Sequence, residues 1–447
     1  MDPVLLGSLA LATVLLLLAI RVPIAFALGF VASLGLFLFY ASSTGEEFNA
    51  KRGLIPMLSL LSSTPYDFIH NYPLSMIPLF IGLGHVTYHA GITTDFYHAL
   101  RIWFARVPGG LAMASIIGCG GFSAITGSSV ACASAMGRIA VPEMLRYGYH
   151  PRLATGAVAV GGTLGSLIPP SILFVIYAIF TEQSVKVLFL AGILPGLLSL
   201  IGYLITTAIW VIRKPEVAPQ IDIVFDRKEK VLSLGRTWPA VLLFVVVIGG
   251  IYWGFFTPTE AAAVSLALAI LIGLLRRRLD FSALVISLRE TVLQTSMIFL
   301  ISIGAKLFVV LISLTQVAPA LLSWLQSSSV SIQFVLLAIV GLYFVLGMFL
   351  DSIGILVLTL PFTVPLIQGY GLDLIWFGVV VIKLLEIGLI TPPIGLNVFV
   401  IKSVSPESVS LEAIFQGVSW FLILDLVVLV MILLLPELSL LIPKSVS

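Results

Sequence analysis

One pattern is written twice in this chain, and any fold has to accommodate both copies. The first runs from Gly121 to Tyr177, with GFSAITGSSVACASAMGRIAVPEMLRYGY followed by GGTLGSLIPPSILFVIY. The second runs from Phe344 to Val400, with LGMFLDSIGILVLTLPFTVPLIQGYG followed by LLEIGLITPPIGLNVF. Pro142 matches Pro365, Tyr147 and Gly148 match Tyr370 and Gly371, Gly165 matches Gly388, and Pro169-Pro170 match Pro392-Pro393, always 223 residues apart in a chain of 447. That constant offset, about half the chain, reads as one unit duplicated.

Each copy is embedded in sequence too apolar for water. With 60% hydrophobic and 10% charged residues, the chain has too little charge to cover a soluble surface of this size. Mean hydropathy is +1.17. Apolar runs of helix-spanning length recur, and the short alternating segments of a β-barrel do not, so the expected class is an all-α membrane protein. A net charge of +2, without basic runs interleaved with exposed aromatics, gives no support for nucleic-acid binding. Val4 to Ile20 lacks a basic region before it and a small-residue cleavage site after it, so it reads as a retained helix. Cys119 and Cys132 both lie in apolar sequence and support neither a disulfide framework nor a zinc site.

In chain order, spans are expected at Val4 to Ile20 and Pro23 to Tyr40. A mixed segment, 41 to 72, holds a short interfacial helix near Leu54 to Leu61. A span from Pro73 to about Gly91 and a polar connector with Asp95, Arg101 and Arg106 follow. Beyond the first core copy, Val187 to Ile212 leads into a charged linker, Arg213 to Arg236. The second half opens with Trp238 to Phe256, a Thr257-Pro258-Thr259-Glu260 turn and Ala261 to Leu275, then Arg276, Arg277 and Arg278. Thr291 to Ser313 is a span, Gln316 to Ser327 a connector, and Ser419 to Leu435 the last span. The organisation is thus a first repeat, 1 to 212, a linker, 213 to 236, and a second repeat, 237 to 447. Scaffold helices are expected in 1 to 92 and 237 to 313, and a hairpin with a broken helix in 108 to 186 and 330 to 404. The basic segments put 213 to 236 and 276 to 278 in the cytoplasm by the positive-inside rule. If the opening hairpin corresponds to 237 to 276 but is inverted, the amino terminus lies outside.

The duplicated prolines locate function. Proline has no N–H, so Pro169-Pro170 are expected to release the carbonyls of Gly165 and Ser166, and Pro392-Pro393 those of Gly388 and Leu389. Free carbonyls in hydrocarbon need a partner, and a hard cation such as Na⁺ is one; an ordinary proline kink satisfied by neighbouring helices is the other reading. Two Gly-x-x-x-Pro-Pro breaks in corresponding places favour a transporter site near the bilayer midplane. The preceding stretches read as re-entrant hairpins. Gly110 to Thr126 turns at Gly127-Ser128-Ser129 and returns to Met144; about Gln333 to Leu350 turns at Asp351-Ser352 and returns to Gln368. Ser128-Ser129 and Asp351-Ser352 can cap the returning helices, and the same tips can face ion and substrate.

Seven strings together resemble a known family over essentially the whole chain. They are PLSMIPLFIGLG at Pro73, ITGSSVACASAMG at Ile125, MLRYGY at Met144, LGSLIPPS at Leu164, AGILPGLL at Ala191, TPTEAAAV at Thr257 and EIGLITPPIGLNVFV at Glu386. The resemblance is to the large membrane subunit (DctM type) of tripartite ATP-independent periplasmic (TRAP) transporters. It implies an elevator-type secondary transporter of the bacterial inner membrane, built as an inverted repeat with two hairpins and two broken helices and driven by Na⁺. It further implies two partners, a small four-helix membrane subunit and a periplasmic binding protein that delivers an organic anion such as a carboxylate or sialic acid. Mapped onto this chain, the family's ions would sit by Ser128, Ser129, Gly165 and Pro169, and by Gly347, Asp351, Gly388, Thr391 and Pro393. Gly127, Ser171, Ser352 and Asn397 are then expected beside the anion. Lys306, in ISIGAKLFVV, departs from the small or apolar residue expected there.

Intramembrane charges need partners or water. Lys383 and Glu386, one turn apart, can form an ion pair, or can act beside the Gly388 break. Arg138 can snorkel or meet a carboxylate, and Lys306 can pair with an acid or the substrate. His85 and His89 lack the Glu of H-E-x-x-H and a third ligand. No enzyme motif such as G-x-S-x-G is present. Two other classes stay open: a channel, distinguished by bilayer conductance, and a stand-alone ion-coupled carboxylate carrier, distinguished by uptake without a binding protein.

Overall fold

A computed structural model describes residues 2–42, 48–219 and 226–446. Parts of the expected 41 to 72 segment and of the 213 to 236 linker, residues 43–47 and 220–225, lie outside these. The described residues are helical, without strands.

Helices α1 (Pro3–Ala19) and α2 (Ile24–Ala41) match the first two expected spans. Asp2 caps α1 by accepting from Val4 N–H at 2.9 Å. The interfacial helix is longer than expected: α3 (Ala50–Ile69) exposes Leu54, Ile55 and Leu58 along one side. A 3₁₀ turn precedes α4 (Met76–His89). The polar connector is itself a helix, α5 (Ile92–Phe104), which carries Asp95 and Arg101 and buries Ile92, Tyr97 and Ile102.

The first core copy forms α6 (Gly110–Thr126), α7 (Ser129–Arg146), α8 (Pro151–Leu167) and α9 (Ile172–Thr181). A long α10 (Val185–Arg213), α11 (Arg227–Arg236), α12 (Trp238–Phe244), a π turn at Val245–Gly249 and α13 (Gly250–Tyr252) come next. Helix α14 (Pro258–Leu275) starts in a capping box in which Thr257 and Glu260 satisfy each other's backbone N–H. Helix α15 (Phe281–Thr315) starts ten residues before the expected span, running through Arg289 and Glu290. The connector after it is helix α16 (Val317–Ser327). The second core copy forms α17 (Ile332–Gly347), α18 (Ser352–Gly369), α19 (Leu374–Gly388) and α20 (Leu396–Val404), and α21 (Leu411–Leu434) and α22 (Glu437–Val446) follow. The order hairpin, broken helix therefore occurs twice.

Seven helices among the described residues are long and apolar enough to cross a membrane, counting α8 and α9 as one. Helices α6 and α17, with 17 and 16 residues, are shorter. At about 1.5 Å per residue they reach roughly 25 Å, less than the ~30 Å hydrocarbon layer, which suits re-entrant arms.

Packing divides the chain into two compact units that cut across the sequence halves. The first holds α1 to α3, residues 293–342 and residues 353–374. Its helices approach through glycine: a Cβ on Gly304 would stand 2.8 Å from the Ala25 carbonyl oxygen, and one on Gly53 2.7 Å from that of Phe37. Lys306 lies in this unit, half-buried on α15. The second holds residues 76–292, 343–352 and 375–447, hence both hairpin tips and both breaks. Helices α4 and α14, expected in the scaffold, belong to it. Its core is α6, α7 and α8 with α21 against them; a Cβ on Gly156 would meet the backbone of Gly417 at 2.6 Å.

Within the second unit, polar contacts gather the basic segments at one end. Asp95 on α5 takes Arg276 at 2.5 Å and Arg278 at 2.9 Å. Arg101 pairs with Glu143 near the end of α7. His150 N–H donates to the Val217 carbonyl at 2.9 Å. The open end of the first hairpin thus lies with the charged linker and the arginine run.

Candidate functional site

Each hairpin tip is seated on the break of its own copy, and glycine makes the contact possible both times. In the first copy, Gly127 ends α6 in the left-handed region, φ +62°, and a Cβ there would fall 2.6 Å from the Pro170 carbonyl oxygen. Its own carbonyl accepts from Ile172 N–H at 3.1 Å, so tip and break share a backbone bond. Ser128 caps α7, accepting from Ala131 N–H. Gly165 lies against the same tip, where a Cβ would be 2.8 Å from Ser129 N. Residues 168–171 are non-helical, with Pro169-Pro170 cis, and Ser171 caps α9 through Phe174 N–H. Gly127, Ser129, Gly165, Pro169 and Ser171 are buried, and Ser128 is half-buried.

In the second copy Gly347 and Gly388 touch directly. A Cβ on Gly388 would lie 2.7 Å from the Cα of Gly347. Asp351 precedes α18 as Ser128 precedes α7, keeping the 223-residue register, and Ser352 is its first residue. Here one expectation is corrected: the carbonyls of Gly388 and Leu389 are not free. They accept from Thr391 N–H at 3.2 Å and Asn397 N–H at 3.0 Å, because the chain turns back tightly and supplies the donors that the prolines lack. Thr391 also donates its hydroxyl to the Ile387 carbonyl at 2.7 Å. Thr391 and Asn397 are buried, whereas Pro393 is exposed. Asn397 reaches across to the other copy, donating to the Ala159 carbonyl on α8 at 3.4 Å.

A second correction concerns the charges. Lys383 and Glu386 do not pair with each other. Lys383 binds Asp425 on α21 at 2.5 Å and Ser199 on α10 at 3.1 Å. Asp425 also accepts from the Tyr203 hydroxyl at 2.7 and 2.9 Å, and that hydroxyl meets Thr163 at 3.0 Å. Glu386 turns instead to the first hairpin, accepting from Ser129 Oγ at 2.7 Å, and Ser129 meets Ser166 at 2.8 Å. Arg138 is exposed, as a snorkelling side chain would be. His85 and His89 both contact Glu290, at 3.1 and 2.9 Å, and no metal-binding group of three or more occurs among the described residues.

The sequence reading missed Asp425, Tyr203 and Ser199, and it named Ser166 for its carbonyl but not for its hydroxyl. Asp425 had a signal, a lone acid in the apolar run FLILDLVVLV.

Among the described residues, Ser352 Oγ, Glu386 Oε2 and Asn397 Oδ1 are buried without a hydrogen-bond partner. Buried polar atoms are normally satisfied, so unpartnered oxygens beside a hairpin tip and a helix break are candidates to meet a ligand. Ser129, Ser166 and Glu386, joined by hydrogen bonds, present oxygen donors only, which fits a hard cation such as Na⁺.

Residues 11–438 match the family described as Tripartite ATP-independent periplasmic transporter, DctM component. The C4-dicarboxylate TRAP transporter large permease protein DctM of Pseudomonas aeruginosa is 34% identical over 382 residues, 85% of this chain and 88% of that one. The sialic acid TRAP transporter large permease protein SiaM of Vibrio cholerae is 32% identical over 430 residues, 96% of each chain. The solved YdaH transporter of Alcanivorax borkumensis shares the fold, with a TM-score of 0.61 at 14% identity over 99% of this chain and 98% of that one. The chain belongs to the DctM family and is a multi-pass TRAP transporter large permease, not an enzyme.

Proposed function

We propose that this permease imports an organic anion, a carboxylate or a sialic-acid-like compound, by Na⁺-coupled secondary transport across the bacterial inner membrane. A periplasmic binding protein delivers the anion, and a small four-helix membrane subunit completes the complex. The observation that carries this reading is the pair of hairpin tips, each seated by glycine on a break of its own copy. Such paired breaks suit ion and substrate capture better than a continuous pore.

The residues that would hold the coupling ion are Ser128, Ser129, Gly165 and Pro169 in one copy, and Gly347, Asp351, Gly388, Thr391 and Pro393 in the other. Gly127, Ser171, Ser352 and Asn397 border the space for the anion. Bound Na⁺ supplies positive charge beside the anion site. The two copies form an inverted repeat, and tips and breaks move as one elevator body against the scaffold. An ion biases that motion only through unequal affinity for its end states. The basic end of the second unit faces the cytoplasm, by the positive-inside rule, and the amino terminus faces the periplasm. The relatives named for C4-dicarboxylates and sialic acid motivate the choice of substrates to test.

The test is uptake of labelled C4-dicarboxylate or sialic acid into proteoliposomes holding both membrane subunits. Uptake is expected to need an inward Na⁺ gradient and the binding protein. Equal uptake with choline in place of Na⁺ would overturn ion coupling. Equal uptake without the binding protein would favour a stand-alone carrier.

A further inference from the structure

The first copy's cation site has hydroxyls and main-chain groups but no charge of its own. Its tip and break supply Ser128, Ser129, Gly165, Ser166, Pro169 and Ser171. The carboxylate that reaches it comes from the other copy: Glu386 accepts from Ser129 at 2.7 Å, across 257 residues of sequence.

Charge balance around this contact is incomplete. Among the described residues, the buried charged side chains are Lys383, Glu386 and Asp425, each 1% exposed or less. Lys383 is committed to Asp425 and Ser199, and Asp425 also holds the Tyr203 hydroxyl. One ammonium for two carboxyl groups leaves Glu386 without a cationic partner, and its second oxygen, Oε2, has no hydrogen-bond partner. An uncompensated carboxylate is costly in hydrocarbon. The N-terminus of α7, at Ser129, eases the charge on Oε1, but Glu386 also lies in the last turn of α19, where the helix dipole is negative. A bound monovalent cation would balance an ionised Glu386, as a proton on its carboxyl would, and a Na⁺ titration tells the two apart.

We propose that Glu386 is the charged ligand of the first copy's cation site, completing it from the second copy together with Ser129 and Ser166. The assignment rests on the Na⁺-coupled reading above and deepens it: the two half-sites are not independent, and the Lys383–Asp425 pair keeps Lys383 from neutralising Glu386 in the cation's place. Loading of the first half-site therefore requires the second copy's broken helix to be docked on the first copy's tip.

The experiment is Na⁺-dependent thermal stabilisation of the full chain, purified in nanodiscs with its small membrane subunit, titrated with NaCl at constant ionic strength. For Glu386→Gln, the Na⁺ concentration for half-maximal stabilisation is expected to rise at least about tenfold. Asp425→Asn frees Lys383 to turn one helical turn to Glu386, so the same loss of Na⁺ response is expected although no residue of the site is changed. Ser166→Ala should weaken the response by a smaller factor. A Glu386→Gln protein with the wild-type midpoint would overturn the assignment. If Glu386→Gln does not fold, a wild-type midpoint in Asp425→Asn overturns it instead. A wild type that gives no Na⁺ response overturns the sodium reading itself, an outcome distinct from a normal wild type and an unaffected variant.

Discussion

The two copies of the core use the same punctuation and arrive at different environments. In the first, tip and break are buried together, joined by a backbone bond from Ile172 to Gly127 and lined with serine hydroxyls. In the second, Gly347 and Gly388 meet backbone to backbone, the nearby carbonyls are taken by Thr391 and Asn397, and Pro392, Pro393 and Ile394 are exposed. A Gly-x-x-x-Pro-Pro string thus sets where a helix breaks, while the residues around it decide which oxygens stay available. The copies are also cross-linked, by Glu386 to Ser129 and by Asn397 to the Ala159 carbonyl.

Perturbing each copy separately sharpens this contrast. The largest loss of stability is expected for Lys383→Met, which strands the buried carboxylate of Asp425 behind the site. Breaking a buried pair costs about 3–5 kcal/mol, so chemical denaturation should show a drop of that order. Gly127→Ala comes next, at roughly 2–4 kcal/mol, because it combines a left-handed backbone with a clash against Pro170. Gly388→Ala, with helical backbone and only the clash against Gly347, should cost about 1–3 kcal/mol in the same assay. If the Gly127 and Gly388 variants lose equal stability, the first tip is no more tightly closed than the second. Thr391→Ala removes one hydrogen bond, to Ile387, and should cost about 0.5–1.5 kcal/mol while weakening Na⁺-driven uptake.

Local signals in the sequence were legible and distant ones were not. Gly127, the Ser128 cap and the Pro-Pro pairs act on their own backbone, so tips and breaks could be placed within a few residues. Polar helices were harder. The stretch with Asp95 and Arg101 reads as a connector by charge, yet its apolar residues recur with helical spacing, and α15 begins at Phe281 because Arg289 and Glu290 are tolerated inside a helix. The partners of Lys383 and Glu386 were out of reach. Neighbours one turn apart suggest a pair, whereas the observed partners, Asp425 and Ser129, lie 42 and 257 residues away and meet them only through tertiary packing.

If the tip-on-break contacts hold a cation, with the first copy's site completed by Glu386, that ion has to be visible in the assembled complex. The most direct measurement is a pair of high-resolution maps of the assembled complex, one prepared in Na⁺ and one in choline. Na⁺-dependent density bounded by Ser129, Ser166 and Glu386 is expected, with helices interrupted at 168–171 and 389–395. Identical maps in the two salts at that position, or uninterrupted helices through either break, would contradict it.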